Sequence, residues 1–307
     1  MAGIEKLKTS VETTYGIVSG IINAEYYTNG QLKECMLKEK NELTVLDGTL
    51  IPRYSIWEVR DKYINSLSFY ASGKLQSIVL AKQTPVQTPM GMVPAELITF
   101  HENEMIDRIF MLNGKISSYW NEDDEYQLSI PLTIKCGFGE ITNRFINLCF
   151  YPDGQLKSLT LWKKEIVSVQ TEYGTINARI GLSFFEGGAL ESLEPNVPTW
   201  ISTPIGNIQA YDLNAIGIFG DANSIKFYKD GTIASLITST NKISVRENNN
   251  QGREFIPTLI ESSILLDGWI IAPIKIEFYD NQVIFHDCDG KIYDYQISDI
   301  KCEIKKK

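Results

Sequence analysis

The side chains that do most enzymatic chemistry are scarce in this sequence. Only two histidines occur in 307 residues, His101 and His286, so imidazole metal clusters and Ser/His/Asp triads have little material. Asp287-Cys288-Asp289-Gly290 matches a fragment of a calcium loop, but the distal glutamate of the full loop is missing and Asp-x-Asp-Gly is a common turn. Five cysteines (Cys35, Cys136, Cys149, Cys288 and Cys302) are odd in number and lack Cys-x-x-Cys spacing, which predicts reduced, structural thiols. There is no Gly-x-Ser-x-Gly, phosphate loop, His-Glu-x-x-His or dinucleotide fingerprint. Carboxylates are plentiful, and a glycosidase-like pair would draw on the run Asn121-Glu122-Asp123-Asp124-Glu125 or on Asp287 and Asp289. The residues thus predict no catalytic set, no metal site and no cofactor.

Aromatic rings at repeated positions are the other chemistry on offer. Tyr27, Tyr70, Tyr151, Phe185, Tyr228 and Tyr279 each follow another aromatic residue and precede a turn. Rings in a row on a wet sheet face can stack sugars or receive a partner chain, since each supplies apolar area and, for tyrosine, a hydroxyl. Cross-strand packing is the alternative use of the same rings. These six are the candidate binding residues.

A hairpin must position them. Phe150-Tyr151-Pro152-Asp153-Gly154-Gln155-Leu156 suits a type I turn closed by glycine in the left-handed region. Alternation along a strand puts Leu148, Phe150 and Leu156 on one face, and Cys149, Tyr151, Gln155 and Lys157 on the other. The phrase recurs from Tyr26, Phe69, Phe100 (a degraded copy), Phe184, Phe227 and Phe278, giving seven copies. The first ring of each pair and the leucine after the glycine are the expected core.

A second signal precedes each hairpin: a turn ending in glycine and followed by apolar residues, as in Thr14-Tyr15-Gly16-Ile17, Thr88-Pro89-Met90-Gly91, Thr171-Glu172-Tyr173-Gly174 and Leu266-Asp267-Gly268. Seven modules of two turns and up to four short strands follow. Gaps between modules recur every third module, which predicts a super-repeat of about 125 residues: modules one to three over 10–125, four to six over 130–255 and a seventh over 260–300. The long gaps around Asn121–Glu125 and Asn248–Gly252 read as equivalent extra hairpins. Helical periodicity is confined to a possible turn at Glu5–Val11 and a weak one at Ser55–Ile64.

The fold class predicted is therefore all-β, with tandem hairpins in an elongated twisted sheet or solenoid-like array of one domain. A seven-bladed propeller or a two-sheet arrangement is the alternative; modules this short would starve a blade.

Composition agrees. The chain is 43% hydrophobic and 22% charged, as in ordinary globular proteins, and its 15 tyrosines and 13 phenylalanines favour strands. A net charge of −9 disfavours nucleic acid and anionic lipid as partners. Met1–Lys8 lacks the features of a signal peptide and no window reads as a membrane span, so a cytoplasmic location is expected.

The tip phrase, aromatic-aromatic-x-Asp/Asn-Gly-x-Leu-x-Ser as in Phe150–Ser158, resembles variant MORN repeats, including those of bacterial YwqK-type proteins. The resemblance covers about ten residues in each module and implies successive hairpins that serve interaction rather than catalysis. It departs from MORN repeats where their glycine-rich second hairpin is replaced by the Thr-x-x-Gly turn. The partner expected is another protein, with a glycan as the alternative.

Overall fold

A computed structural model describes residues 9–46, 48–55, 58–217, 220–248, 251–261 and 268–307. Glu5, Lys6 and Lys8 and most of Leu266–Gly268 lie outside them. The protein is all-β, built from antiparallel sequential hairpins with no closed barrel. Contacts divide the chain into two compact units, Met1–Lys135 with Arg144–Lys157, and Cys136–Asn143 with Ser158–Lys307.

In the first unit the sheet order is Ile21–Tyr26, Leu32–Leu37, Leu67–Phe69, Leu75–Thr88, Gly91–Phe100, Ile106–Phe110 and Phe145–Phe150. Its register runs one apolar row straight across the strands: Cys35, Leu67, Ile78, Ile98, Ile109 and Leu148, all fully buried. The second unit repeats the device from Ser158 onward. There Leu159, Leu182, Leu193, Ile225, Leu236, Ile276 and Phe285 face one another in turn, also fully buried. Side chains alternate along each strand, so a parallel row on the opposite face is polar: Ser68, Ser77 and Thr99 in the first unit, and Ser158, Ser183, Ser192, Lys226, Ser235 and Glu277 in the second.

The tips follow the expected geometry. Tyr27 N–H donates to Gln31 O at 2.9 Å and Gly30 N–H to Tyr27 O at 2.9 Å, with Gly30 at φ +82°, a conformation that costs a glycine nothing. The Asn29 side chain accepts from Gln31 N–H at 3.0 Å and fixes the bend. The same backbone pair recurs at Tyr70, His101, Tyr151, Phe185 and Tyr228. In the degraded copy Glu104 takes the glycine position at φ +70°, a strained place for a side chain. The seventh copy differs: Tyr279 pairs directly with Gln282 across Asp280-Asn281. A further turn of the standard kind is Asp287–Lys291, so the calcium-like fragment is a hairpin turn.

The Thr-x-x-Gly turns form a second layer of small hairpins. Thr13 Oγ1 donates to Gly16 O at 2.7 Å and accepts from Tyr15 N–H at 3.2 Å, and Thr88, Thr171 and Thr203 do the same in their turns. Two of these hairpins clasp the sheet in the same way. Tyr15 Oη accepts from Leu75 N–H at 3.0 Å in the first unit, and Tyr173 Oη accepts from Ile233 N–H at 2.8 Å in the second. Their Val, Leu and Ile side chains, such as Val18, Leu43 and Val45, or Val169, Ile176 and Ile201, are buried with the Phe/Leu row. Burying apolar area at about 25 cal/mol per Å² is what holds hairpins too small to persist alone.

Six first rings, Phe69, Phe100, Phe150, Phe184, Phe227 and Phe278, are buried as expected; Tyr26, on a strand that among the described residues is paired on one side only, is exposed. The two long gaps are not equivalent. Asn241–Glu247 and Gly252–Phe255 form the expected hairpin, whereas Glu122–Leu128 is a helix. Asn121 accepts from Asp124 N–H at 3.0 Å while Asp124 accepts from Asn121 N–H at 2.9 Å, a capping box that offsets the segment's weak apolar period. The described part of Ser55–Ile64 contains turns and no helix, and Ser10–Thr13 is a strand.

Candidate functional site

The six candidate rings stand one per tip. Tyr27, Tyr70, Tyr151 and Phe185 are half-buried, and Tyr228 and Tyr279 are 39% and 48% exposed. Successive hairpins bring the hydroxyls against the neighbouring tip. Tyr27 Oη donates to Phe69 O at 2.9 Å, Tyr70 Oη to Phe100 O at 2.6 Å, and Tyr228 Oη to Phe278 O at 2.5 Å. His101, which replaces the tyrosine in the degraded copy, donates through Nε2 to Phe150 O at 2.9 Å. Each acceptor is the carbonyl of the buried first ring in the next tip, so the row is a ladder that ties tip to tip. Desolvation raises the Tyr70 and Tyr228 hydroxyls above the ordinary tyrosine range, with nearby carboxylates adding to it. Asn29 and Asn103 extend the ladder by donating to Ala71 O and Pro152 O, each at 2.9 Å. Lys157 and Lys229 place ammonium groups over the Tyr151 and Phe185 rings at 5.7 and 5.8 Å. The repeat itself was legible in sequence, but these bonds cross between modules and leave no sequence signal.

The carboxylates proposed for hydrolysis are committed elsewhere. Glu125 is buried, accepting from Arg60 at 2.6 and 2.8 Å, Gly114 N–H at 2.8 Å and Trp120 Nε1 at 2.7 Å. Glu96 takes the other side of the same guanidinium at 2.7 and 3.0 Å and accepts from Asn113 N–H at 2.7 Å. Burial by itself would lower Arg60; the two carboxylates more than reverse this and hold it above its ordinary value. This cluster borders a cavity of about 560 Å³ that also includes Arg53, Glu58 and Asp61. Asp289 caps its own turn, accepting from Lys291 N–H at 3.0 Å, and Asp287 accepts from Cys288 N–H at 2.8 Å.

The five thiols are unpaired by disulfides, and burial pushes Cys35 and Cys136 up to about 12 and Cys302 to about 11. Among the described residues no group of three His, Cys, Asp or Glu is placed to hold a metal ion, and no helix is long and apolar enough to cross a membrane.

Two features of the second unit present unused surface. One is the ribbon Thr258–Glu261 with Trp269–Ala272. All four residues of its first strand are exposed, and Leu259 (58% exposed) shares a face with Trp269 (62%) because Leu259 pairs with Ile271 and Glu261 with Trp269. The other is the strand Ile292–Gln296, which among the described residues pairs with Gln282–His286 on one side only and borders a groove of about 510 Å³ beside Gly252–Phe255. Neither drew notice in the sequence, where Leu259 and Ile292 look like any other strand residues.

Comparison with protein-family models, with curated proteins and with solved structures returned no match.

Proposed function

We propose that the chain is a non-catalytic interaction protein whose repeat sheet holds binding surfaces for another protein. The observation that carries this reading is the ribbon of Thr258–Glu261 with Trp269–Ala272, where Leu259 and Trp269 stand exposed on one face of a two-stranded element. Contiguous exposed apolar side chains cost solubility unless a partner covers them, and aromatic residues of this kind dominate protein–protein contacts. The resemblance of the tips to variant MORN repeats supports the same use.

The glycan alternative draws less support. The ladder consumes the hydroxyls of Tyr27, Tyr70 and Tyr228, leaving ring faces without the polar handle that orients a sugar.

Chemical cross-linking in a lysate of the native host, with the wild-type chain and a Leu259→Ser/Trp269→Ser double variant as parallel baits, tests the proposal. Both positions are exposed, so the variant is expected to fold normally by circular dichroism and to lose the partners that the wild-type chain captures. Identical partner lists for the two baits would sink it.

A further inference from the structure

We infer that the strand Ile292–Gln296 is a docking edge for an extended segment of a partner protein that carries basic residues. This inference rests on the interaction function proposed above and names a site separate from the ribbon. The free edge follows from the hydrogen-bond phase. Asp287 N–H donates to Lys291 O and Ile297 N–H to Asn281 O, which makes Phe285/Tyr293 and Val283/Tyr295 the bonded pairs between them. Ile292, Asp294 and Gln296 therefore turn their N–H and C=O groups away from the sheet.

Natural edges are blunted with proline, lysine, bulges or covering elements. Ile292-Tyr293-Asp294-Tyr295-Gln296 has no proline or lysine, and its register with Gln282–His286 is unbroken. Among the described residues, what lies beside it is a groove and not a cover. Across that groove runs Gly252–Phe255, which among the described residues pairs only with Asn241–Glu247; Glu247 N–H donates to Gln251 O, so by the same alternation Gly252 and Glu254 also face outward. The floor is fixed by rings: Phe255 stacks on Phe285 at 4.4 Å, Tyr293 meets Phe255 edge-on at 5.5 Å, and Arg253 lies over Tyr293 at 4.0 Å. Such a slot gives an entering strand backbone partners and leaves alternate side chains to be read by the walls.

Charge selects the occupant. Glu247 and Asp294 line the groove against a single cation, Arg253, whose guanidinium is already seated on a ring. A second copy pairing antiparallel through the same edge would centre on Asp294 and set like carboxylates opposite each other, in a chain of net charge −9. An extended segment with lysine or arginine opposite Asp294 gains where the copy loses.

The test uses the full chain and a fluorescein-labelled probe peptide alternating lysine with valine and threonine, beside its glutamate counterpart. Anisotropy titrations at low salt are expected to show saturable binding of the lysine peptide and at least about tenfold weaker binding of the glutamate peptide. Asp294→Pro removes an outward N–H and no ladder bond, so the fold should persist while binding is lost. Glu247→Gln and Asp294→Asn should each weaken binding by about threefold to fivefold. Hydrogen exchange should slow at Ile292 and Asp294 when the lysine peptide is bound. No saturable binding up to about 1 mM overturns the inference. So does equal binding of the two peptides, unchanged exchange at Ile292 and Asp294, or a concentration-dependent dimer that Asp294→Pro abolishes. Cross-linked partners that still depend on Leu259 and Trp269 in that event would leave the interaction function standing and remove only this site.

Discussion

The two units meet the same structural demands, and the first meets them more completely. Both bury an apolar row under small hairpins clasped by a tyrosine, through Tyr15 to Leu75 in one and Tyr173 to Ile233 in the other. They differ on the opposite face and along the tips. In the first unit Arg60 is held by two carboxylates through four bonds of 2.6 to 3.0 Å, and these carboxylates also accept two backbone N–H groups. In the second, Glu194 accepts from Ser224 N–H at 2.7 Å but meets Arg179 only at 3.6 Å, and Asn223 Oδ1 is buried with no partner among the described residues. Along the tips, Tyr27, Tyr70 and His101 form consecutive rungs, whereas Phe185 has no group with which to make one. A repeated fold therefore tolerates unequal polar satisfaction, because the apolar row supplies the common stability and polar groups are settled site by site.

The largest way to break this contrast is to damage the satisfied cluster. Glu125→Ala leaves Arg60 half-paired and strips partners from Gly114 N–H and Trp120 Nε1, so urea unfolding should show a loss of about 3–5 kcal/mol. A loss under about 1 kcal/mol would mean that the cluster is no more than a surface pair. Gly114→Ala should reproduce part of the loss, since its Cβ would collide with the Glu125 carboxylate; overpacking of this kind costs about 1–3 kcal/mol.

The pH dependence of the second cluster sharpens the comparison. Burial raises the Glu194 carboxyl above its ordinary value of 4.5, and its bonds to Ser224 and the Arg179 charge offset this only in part. Between the ordinary value and the raised one, the unfolded chain has released this proton while the folded chain retains it. Stability contributed here is thus present at low pH and lost as pH rises through that window. Glu194→Gln should flatten this slope and raise the melting temperature at neutral pH, as measured by calorimetry across about pH 4 to 8. A wild-type slope of opposite sign, or an unchanged slope in the variant, would show that burial of Glu194 does not set the pH dependence.

The smallest expected effect is a repair. Phe185→Tyr adds a hydroxyl where the ladder lacks one, with Phe227 O as the equivalent acceptor, and should stabilise the chain by about 0.5–1 kcal/mol in urea titrations. A destabilised variant would show that the ring under Lys229 occupies a position different from Tyr27 and Tyr70.

Local chemistry was readable in the sequence and long-range pairing was not. The tips could be placed to the residue because proline, asparagine, aspartate and glycine bias backbone angles within four or five positions of one another. Glu122–Leu128 was misassigned for a local reason as well: its capping box carries the start signal, while four acidic residues hide any apolar period.

What the amino-acid order determined alone was the all-β hairpin series, six of the seven first rings as buried, and the scarcity of catalytic side chains. Only tertiary structure decided that the hydroxyls of Tyr27, Tyr70 and Tyr228 bind neighbouring carbonyls, that Glu125 belongs to Arg60, and that Ile292–Gln296 ends its sheet among the described residues. Turn preferences act over a few bonds, whereas a side chain's partner depends on which strand arrives beside it, and in this fold that strand comes from 30 to 65 residues away.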